Sequence, residues 1–91
     1  MPRPKSFRFI AHNPHVTYYK PQGIPLRTLE IMEITHEEWE ALRLKNVEDL
    51  CQIEAAKKMD TSQSTFQRIL SSAYKKISLA MVKGMVIKIV K

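Results

Sequence analysis

Apolar residues recur at helical spacing through the last third of the chain. They lie at i, i+3, i+4, i+7, i+11, i+14 and i+15, and they are Phe66, Ile69, Leu70, Ala73, Ile77, Ala80 and Met81. Ser62 precedes this stripe as a natural N-cap, and Gly84 follows it directly after Lys83, a favourable charge for a helix C-terminus. The pattern predicts one long amphipathic helix from about Ser62 to Lys83.

A second helical signal begins at Thr35. The letters THEE form a capping box, in which the side chains of Thr35 and Glu38 each satisfy a backbone N–H of the other residue. The predicted helix runs through HEEWEALRLK with a wide apolar arc, which indicates packing on more than one side. The arc contains Trp39, Ala41, Leu42 and Leu44.

A short helical segment, QIEAAKKM, lies between these two, after a break or a bent continuation at NVEDL. Its apolar positions Ile53, Ala56 and Met59 fall at i, i+3 and i+6, which indicates one buried side. Cys51 stands where Ser or Thr would cap this helix, and we expect a weaker start for that reason.

The two ends of the chain favour strands. The first 28 residues contain all five prolines, which exclude a long helix there, and their segments FRFI and VTYY are rich in aromatic and β-branched residues. LEIMEI is a further candidate strand, and the tail MVIKIVK alternates with the period of a strand. We expect the tail to pair with an N-terminal strand such as FRFI, or with the same strand of a second subunit.

The two later helices have the spacing of a helix-turn-helix unit. Counted from Gln52 as the first position, Ala56 is the fifth, where a small side chain permits close approach of the second helix. Asp60 is the ninth position, at the turn. Phe66 and Ile69 are the fifteenth and eighteenth, which anchor the second helix to the core. The sequence therefore predicts a mainly α, helix-turn-helix fold with short N- and C-terminal β-strands.

One structural domain accommodates these elements, because 91 residues bury too little surface for two cores. Its predicted parts are a Pro-rich basic N-terminal segment with short strands over residues 1–34, the helix-turn-helix domain over 35–84 and the C-terminal β-strand over 85–91. Charge divides the chain differently: residues 1–29 sum to +5, residues 30–60 to −5 and residues 61–91 to +6. Basic ends around an acidic middle indicate a polyanionic partner.

The outward face of the long helix carries side chains of the types that contact DNA in DNA-binding proteins. Gln forms two hydrogen bonds with adenine, Arg does so with guanine, and hydroxyls and lysines contact phosphates. The alternative is a plain solvated face. Candidate DNA-binding residues on this helix and its cap are Ser62, Gln63, Ser64, Thr65, Gln67, Arg68, Ser71, Lys75 and Lys76. Near the N-terminus, Arg3, Lys5 and Arg8 are candidates for an arm on phosphates or in the minor groove, or else form a frayed basic terminus.

Three segments, EALRL, EAAKKM and STFQRIL, resemble the helix-turn-helix of sigma-factor region 4. Nearly the whole chain is more closely similar to domain-of-unknown-function family one-three-four, a family of small predicted DNA-binding proteins of archaea and bacteria. This similarity includes the segments MPRP and YYKPQGIPL and the basic C-terminus. The resemblance implies a sigma region 4-like fold of the winged-helix-like superfamily, and DNA binding. The chain departs from these patterns at Asp60, where helix-turn-helix units usually have Gly, at Gln63, where the family tends to have Arg, and at Cys51, where Ser or Thr would cap the helix.

The function we expect is sequence-specific binding of double-stranded DNA, as a cytoplasmic transcriptional regulator and a homodimer. The alternative is a protein-interaction module that docks on RNA polymerase or another regulator, and a third possibility is binding of structured RNA.

A single cysteine excludes an internal disulfide and fits a reducing compartment. The sequence also predicts neither a signal peptide nor a membrane span.

Chemistry beyond binding has little support in the sequence. No phosphate loop, nucleophile elbow or zinc-hydrolase motif is present, so we expect neither an enzyme nor a cofactor. The acids Glu37, Glu38 and Glu40 are expected to be a solvated helix start. Four side chains could in principle bind a metal ion: His12, His15, His36 and Cys51. We favour the alternative that they are structural or exposed side chains, because no second pair of ligands has the spacing of a zinc finger.

Overall fold

The structure, a computed structural model, describes residues 14–90, and most of these residues are helical. In this region the α-helices are α1 (His36–Leu42), α2 (Gln52–Lys58) and α3 (Gln63–Lys83), and the strands are β1 (Tyr18–Tyr19), β2 (Ile31–Thr35) and β3 (Val86–Val90). A 3-10 turn (Leu26–Thr28) precedes β2, and a π-helical turn (Arg43–Val47) continues α1. The predicted strand FRFI, the candidate arm residues Arg3, Lys5 and Arg8, and His12 lie outside the described residues.

Within residues 14–90, the sheet has the strand order β1-β3-β2. β1 pairs antiparallel with β3, with Tyr18 opposite Lys88, and β2 pairs parallel with β3, with Glu33 opposite Lys88 and Ile34 opposite Ile89. VTYY and LEIMEI therefore supply the partners of the C-terminal strand. The expectation that β3 pairs with its equivalent in a second subunit is wrong, because strands of the same chain occupy both of its sides.

The core of the helical part lies between α1, α2 and α3. Its buried members are Ala41, Leu44, Ala55, Ala56, Met59, Phe66 and Leu70. The predicted arc of α1 is confirmed for Ala41 and Leu44, whereas Trp39 and Leu42 are half-buried. Two predictions are wrong: Ile53 is 54% exposed and Met81 is 75% exposed. Helix geometry turns Ile53 away from the buried side of α2, and Met81 lies at the edge of the α3 stripe, next to the buried Ala80.

The capping box of α1 forms as predicted, but its acid is not solvated. The Thr35 N–H donates to Glu38 Oε1 at 2.8 Å, and the Glu38 N–H donates to Thr35 Oγ1 at 3.1 Å. The Glu38 side chain is buried because α3 packs over it, and there the Ser72 hydroxyl donates at 2.6 Å and the Lys76 ammonium at 3.0 Å. Glu38 thus fixes the entry from β2 to α1 and joins that entry to α3.

A second acid that we expected in solvent, Glu40, is also buried. The Arg43 guanidinium holds it with two hydrogen bonds, at 2.8 and 3.0 Å, and also reaches Glu48 at 3.0 Å. The hydrogen bond to Glu40 raises the pKa of Arg43, although burial of the guanidinium opposes this. Both predictions of a solvated acid failed for one reason: a cation from a neighbouring turn or helix compensates the buried charge.

The Glu38 contacts predict a stability change in acid. Burial alone would raise the pKa of Glu38, but hydrogen bonds from Ser72, the Thr35 amide and Lys76, with the Lys76 charge, lower it below its ordinary value. A lowered pKa in the folded state stabilises the fold above the unfolded glutamate pKa of about 4.3, and this contribution is lost as the pH falls through the folded value.

We expect Glu38→Gln to cost roughly 1–3 kcal/mol at neutral pH, since hydrogen bonds to a charged group are lost, and the difference from the unaltered protein to shrink below about pH 4. Urea unfolding between neutral pH and pH 3 measures this. Glu30→Gln, which changes an exposed acid, is the matched control. A Glu38→Gln deficit that is constant in pH would contradict the lowered pKa.

Candidate nucleic-acid interface

α2 and α3 are joined by a turn over residues 59–62, whose geometry closes the end of α2. Asp60 has a left-handed backbone with φ of 55°. Its N–H donates to the Lys57 carbonyl at 3.1 Å, and the Thr61 N–H donates to the Ala56 carbonyl at 3.0 Å. This pair of bonds is a Schellman motif, which satisfies the last carbonyls of a helix. The predicted turn at Asp60 is therefore confirmed, including its unfavourable residue type.

The start of α3 is held by hydroxyl groups. Ser62 Oγ accepts from the Thr65 N–H at 3.2 Å and lies 2.9 Å from Thr65 Oγ1, which confirms the predicted N-cap. At the other end, Gly84 is left-handed with φ of 68°, and its N–H donates to the Ala80 carbonyl. Residues Ser62 and Thr65 thus have a structural role in the helix, whatever else they contact.

The side of α3 that faces the core is anchored tightly against α2. Phe66 is completely buried, and so are Ala55 and Met59, while Ala56 and Leu70 are nearly so. The two alanines of α2 leave room for the aromatic ring, which sets the distance between the helices. The opposite side of α3 is therefore presented in one fixed orientation.

That opposite side carries the candidate residues at the N-terminal end and middle of α3. Thr65 and Lys76 are half-buried, and the exposed ones are Ser62, Gln63, Ser64, Gln67, Arg68, Ser71 and Lys75. The structure thus brings these exposed groups together on one helix and its cap. Lys76 differs from the others, because its ammonium is paired with the buried Glu38 and points toward α1.

A hydrogen-bonded chain crosses this face from α2 to α3. Gln52, the first residue of α2, donates through its Nε2 to Gln67 Oε1. Gln67 in turn donates through its Nε2 to Ser71 Oγ at 2.9 Å. The sequence analysis did not predict the contact between Gln52 and Gln67, and Gln52 entered it only as the first position of the unit. Nothing in the sequence shows that two residues on different helices lie within hydrogen-bonding distance.

On the same side of α3 as Gln67, Tyr74 joins α3 to the π-helical turn that follows α1. Its Oη lies 2.8 Å from Asn46 Nδ2 and 3.0 Å from Asn46 Oδ1. Both side chains are exposed. Tyr74 lies seven residues after Gln67, two helical turns along the same side, and that spacing is the signal that could have added it to the candidate list.

The charge of the face is positive or neutral throughout. α3 contains Arg68, Lys75, Lys76 and Lys83 and no acidic residue. Arg68 and Lys75 are exposed on it. The exposed face of α3 itself therefore carries no carboxylate that phosphate would repel.

Residues 14–90 contain neither a metal-binding cluster nor a membrane-spanning helix. No group of three or more His, Cys, Asp or Glu side chains in this range is arranged to hold a metal ion. Within the same range, none of the helices has the length and apolar character needed to cross a bilayer.

By class, this is a mostly helical protein whose described residues add a small three-stranded sheet. The chain belongs to the family described as "Protein of unknown function DUF134", whose model matches residues 1–91. The resemblance to domain-of-unknown-function family one-three-four is thereby confirmed.

Relatives named UPF0251 protein share much of the sequence. One from Caldanaerobacter subterraneus subsp. tengcongensis is 49% identical over 98% of this chain and 75% of its own length. One from Dehalococcoides mccartyi is 51% identical over 98% and 76%, and one from Halothermothrix orenii is 44% identical over 92% and 62%. No solved structure matches the chain.

The turn predicts that Asp60→Gly stabilises the fold. A left-handed backbone costs a residue with a Cβ about 1–2 kcal/mol, and the larger entropy that glycine loses on folding costs about 0.5–1 kcal/mol. We therefore expect a net gain of about 0.5–1 kcal/mol, measured by urea unfolding.

Gly84→Ala is the reverse control for this prediction. Gly84 has φ of 68°, and an added Cβ would meet no atom within 4 Å, so its effect isolates the backbone. We expect a loss of about 1 kcal/mol. A melting temperature that falls with Asp60→Gly would show that the aspartate stabilises the turn by a contact of its own.

Proposed function

We propose that the protein binds double-stranded DNA sequence-specifically through a sigma region 4-like helix-turn-helix of the winged-helix-like superfamily and acts as a transcriptional regulator. The observation that carries the proposal is the acid-free, exposed polar face of α3, held in a fixed orientation by the burial of Phe66 against α2. A rigid face of donors and acceptors is what recognition of base edges requires.

The geometry of α2 and α3 supports this assignment. The helices are joined by the four residues 59–62, and the position counted as the fifth of the unit, Ala56, is buried where α3 approaches. α3 has 21 residues and is therefore about 31 Å long. Its N-terminal half is long enough to enter a major groove while its C-terminal half stays packed on the sheet.

The proposed contacts divide into two kinds. Gln63, Gln67 and Arg68 contact base edges and determine sequence preference. Ser64, Ser71 and Lys75 contact phosphates, which orients the protein and makes binding dependent on salt. We leave Lys76 out of the phosphate set, because a DNA contact would require it to leave the buried Glu38.

The test is a selection of duplexes from a random library at moderate salt, followed by affinity measurements on the enriched sequence. We expect one enriched motif, and we expect Arg68→Ala to weaken binding to it by about 1–3 kcal/mol because a bidentate contact with guanine is lost. Arg27→Ala is the matched control, since Arg27 is exposed in the 3-10 turn and outside the helix-turn-helix unit. Equal effects of the two substitutions would reduce Arg68 to a general positive charge.

We further propose that the protein acts as a homodimer, because a single short helix-turn-helix seldom binds DNA tightly alone. β3 offers no edge, being flanked on both sides. The C-terminal half of α3 exposes apolar side chains instead, with Val82 82% and Leu79 39% exposed. Exposed apolar side chains in this number favour a protein contact, and we assign them to the second copy.

Val82→Lys tests the dimer surface. We expect it to weaken self-association at least tenfold in equilibrium sedimentation, since a charged group would replace the buried methyls, each worth about 0.8 kcal/mol. Val47→Lys is the control, because Val47 is 76% exposed but belongs to the π-helical turn and not to the C-terminal half of α3. A protein that is monomeric at high micromolar concentration would contradict the homodimer.

The same exposed end of α3 favours a second candidate function, a module that docks on RNA polymerase or another regulator. Lys75 and Lys83 flank the apolar residues, so such a partner would present apolar groups beside acidic ones. This candidate gains support if the selection enriches no motif, and it loses support if Val82→Lys abolishes dimerisation and leaves a single enriched motif.

A further inference from the structure

We propose that Gln67 gives the protein a preference for adenine at one base pair, and that Gln52 is the residue that positions the Gln67 amide for this contact. The inference rests on the proposed DNA-binding function and adds to it a specific base and a positioning residue on the other helix. It is carried by the hydrogen-bonded chain Gln52, Gln67 and Ser71.

The protein itself uses only part of the hydrogen-bonding capacity of the Gln67 amide. A glutamine amide has two acceptor sites on its oxygen and two N–H donors. Among the described residues, Gln52 occupies one acceptor site and Ser71 takes one N–H. Because the Gln67 side chain is exposed, one acceptor site and one donor remain for a ligand.

The acceptor site and the N–H that remain on the Gln67 amide suit adenine better than the other bases. Adenine presents one donor, its N6 amino group, and one acceptor, N7, side by side in the major groove. Adenine thus offers one partner to each of the two groups that remain on Gln67, a donor for the oxygen and an acceptor for the N–H. Guanine presents two acceptors there and cytosine a donor, so each leaves one end of the amide without a partner. A base pair with adenine is therefore the ligand that the arrangement favours.

Gln52 restrains the Gln67 amide through its hydrogen bond. An exposed glutamine samples several rotamers, and fixing it in one of them on binding costs conformational entropy. Gln52 lies at the first position of α2, and the packing of Ala55 and Ala56 against α3 holds α2 in place. Its hydrogen bond therefore ties the Gln67 amide to the rigid part of the unit before DNA arrives. Gln52 acts through Gln67 and is a positioning residue.

The experiment measures base discrimination in the complete protein. The probe is the duplex enriched from a random library by the unaltered protein, together with every single base-pair substitution of it. Affinities are compared for the unaltered protein, Gln67→Ala, Gln52→Ala and the double variant. Gln22→Ala, which removes an exposed glutamine from the turn before the 3-10 helix, is the matched control.

We expect the unaltered protein to prefer adenine at one base pair by roughly 5- to 150-fold. Gln67→Ala should remove discrimination at that base pair alone. Gln52→Ala should reduce discrimination at the same base pair by about 2- to 10-fold, the contribution of one hydrogen bond, without changing the salt dependence of binding. In the double variant, Gln52→Ala should have no further effect, because the side chain it positions is gone.

Each contrary result overturns a distinct claim. Enrichment of no motif overturns the proposed function and this inference together. A motif whose base preferences do not change in Gln67→Ala leaves the proposed function standing and overturns the adenine assignment. Loss of affinity in Gln52→Ala that is uniform over all base pairs, or that adds to the effect of Gln67→Ala, shows a merely structural role for Gln52 and overturns the positioning claim.

Discussion

Packing of Phe66 against the two alanines of α2 is the contact on which the rest of the structure depends. The ring is fully buried between α1, α2 and α3, and burial of one such side chain contributes about 1.5–3 kcal/mol. Small residues at 55 and 56 are what allow the helices to approach closely enough to bury it. This contact fixes the angle of α3, and with that angle it fixes which side chains of α3 face solvent.

Glu38 completes the frame by polar means. Its carboxylate accepts hydrogen bonds from the Thr35 N–H at the end of β2 and from Ser72 and Lys76 of α3. One buried carboxylate therefore joins the sheet to α3. Two consequences follow for the surface. α3 is held at its middle as well as at its N-terminal half, and one of its lysines, Lys76, is paired with Glu38 and points toward α1. The positive face proposed for DNA is therefore narrower than the lysine count of α3 indicates.

The candidate site contains a feature that belongs to neither helix alone. The hydrogen bonds that link Gln52, Gln67 and Ser71 form because the packing of Phe66 brings the start of α2 beside the exposed face of α3. A family whose function is unknown thus gains a specific and testable hypothesis, in which one helix presents a base-contacting group and the other orients it. The same packing leaves apolar side chains exposed at the C-terminal end of α3, which is the surface we propose for a second copy.

By itself the sequence determined the local elements: the caps at Thr35 and Ser62, the turn at Asp60, the end of α3 at Gly84 and the long apolar stripe. These follow from interactions within about five residues, so the local pattern contains the information. Only the tertiary structure decided which strands pair with the C-terminal strand, that Glu38 and Glu40 are buried, and that Gln52 bonds to Gln67. Those outcomes depend on groups far apart in sequence, and a buried acid looks like a solvated one until the cation that compensates it is known.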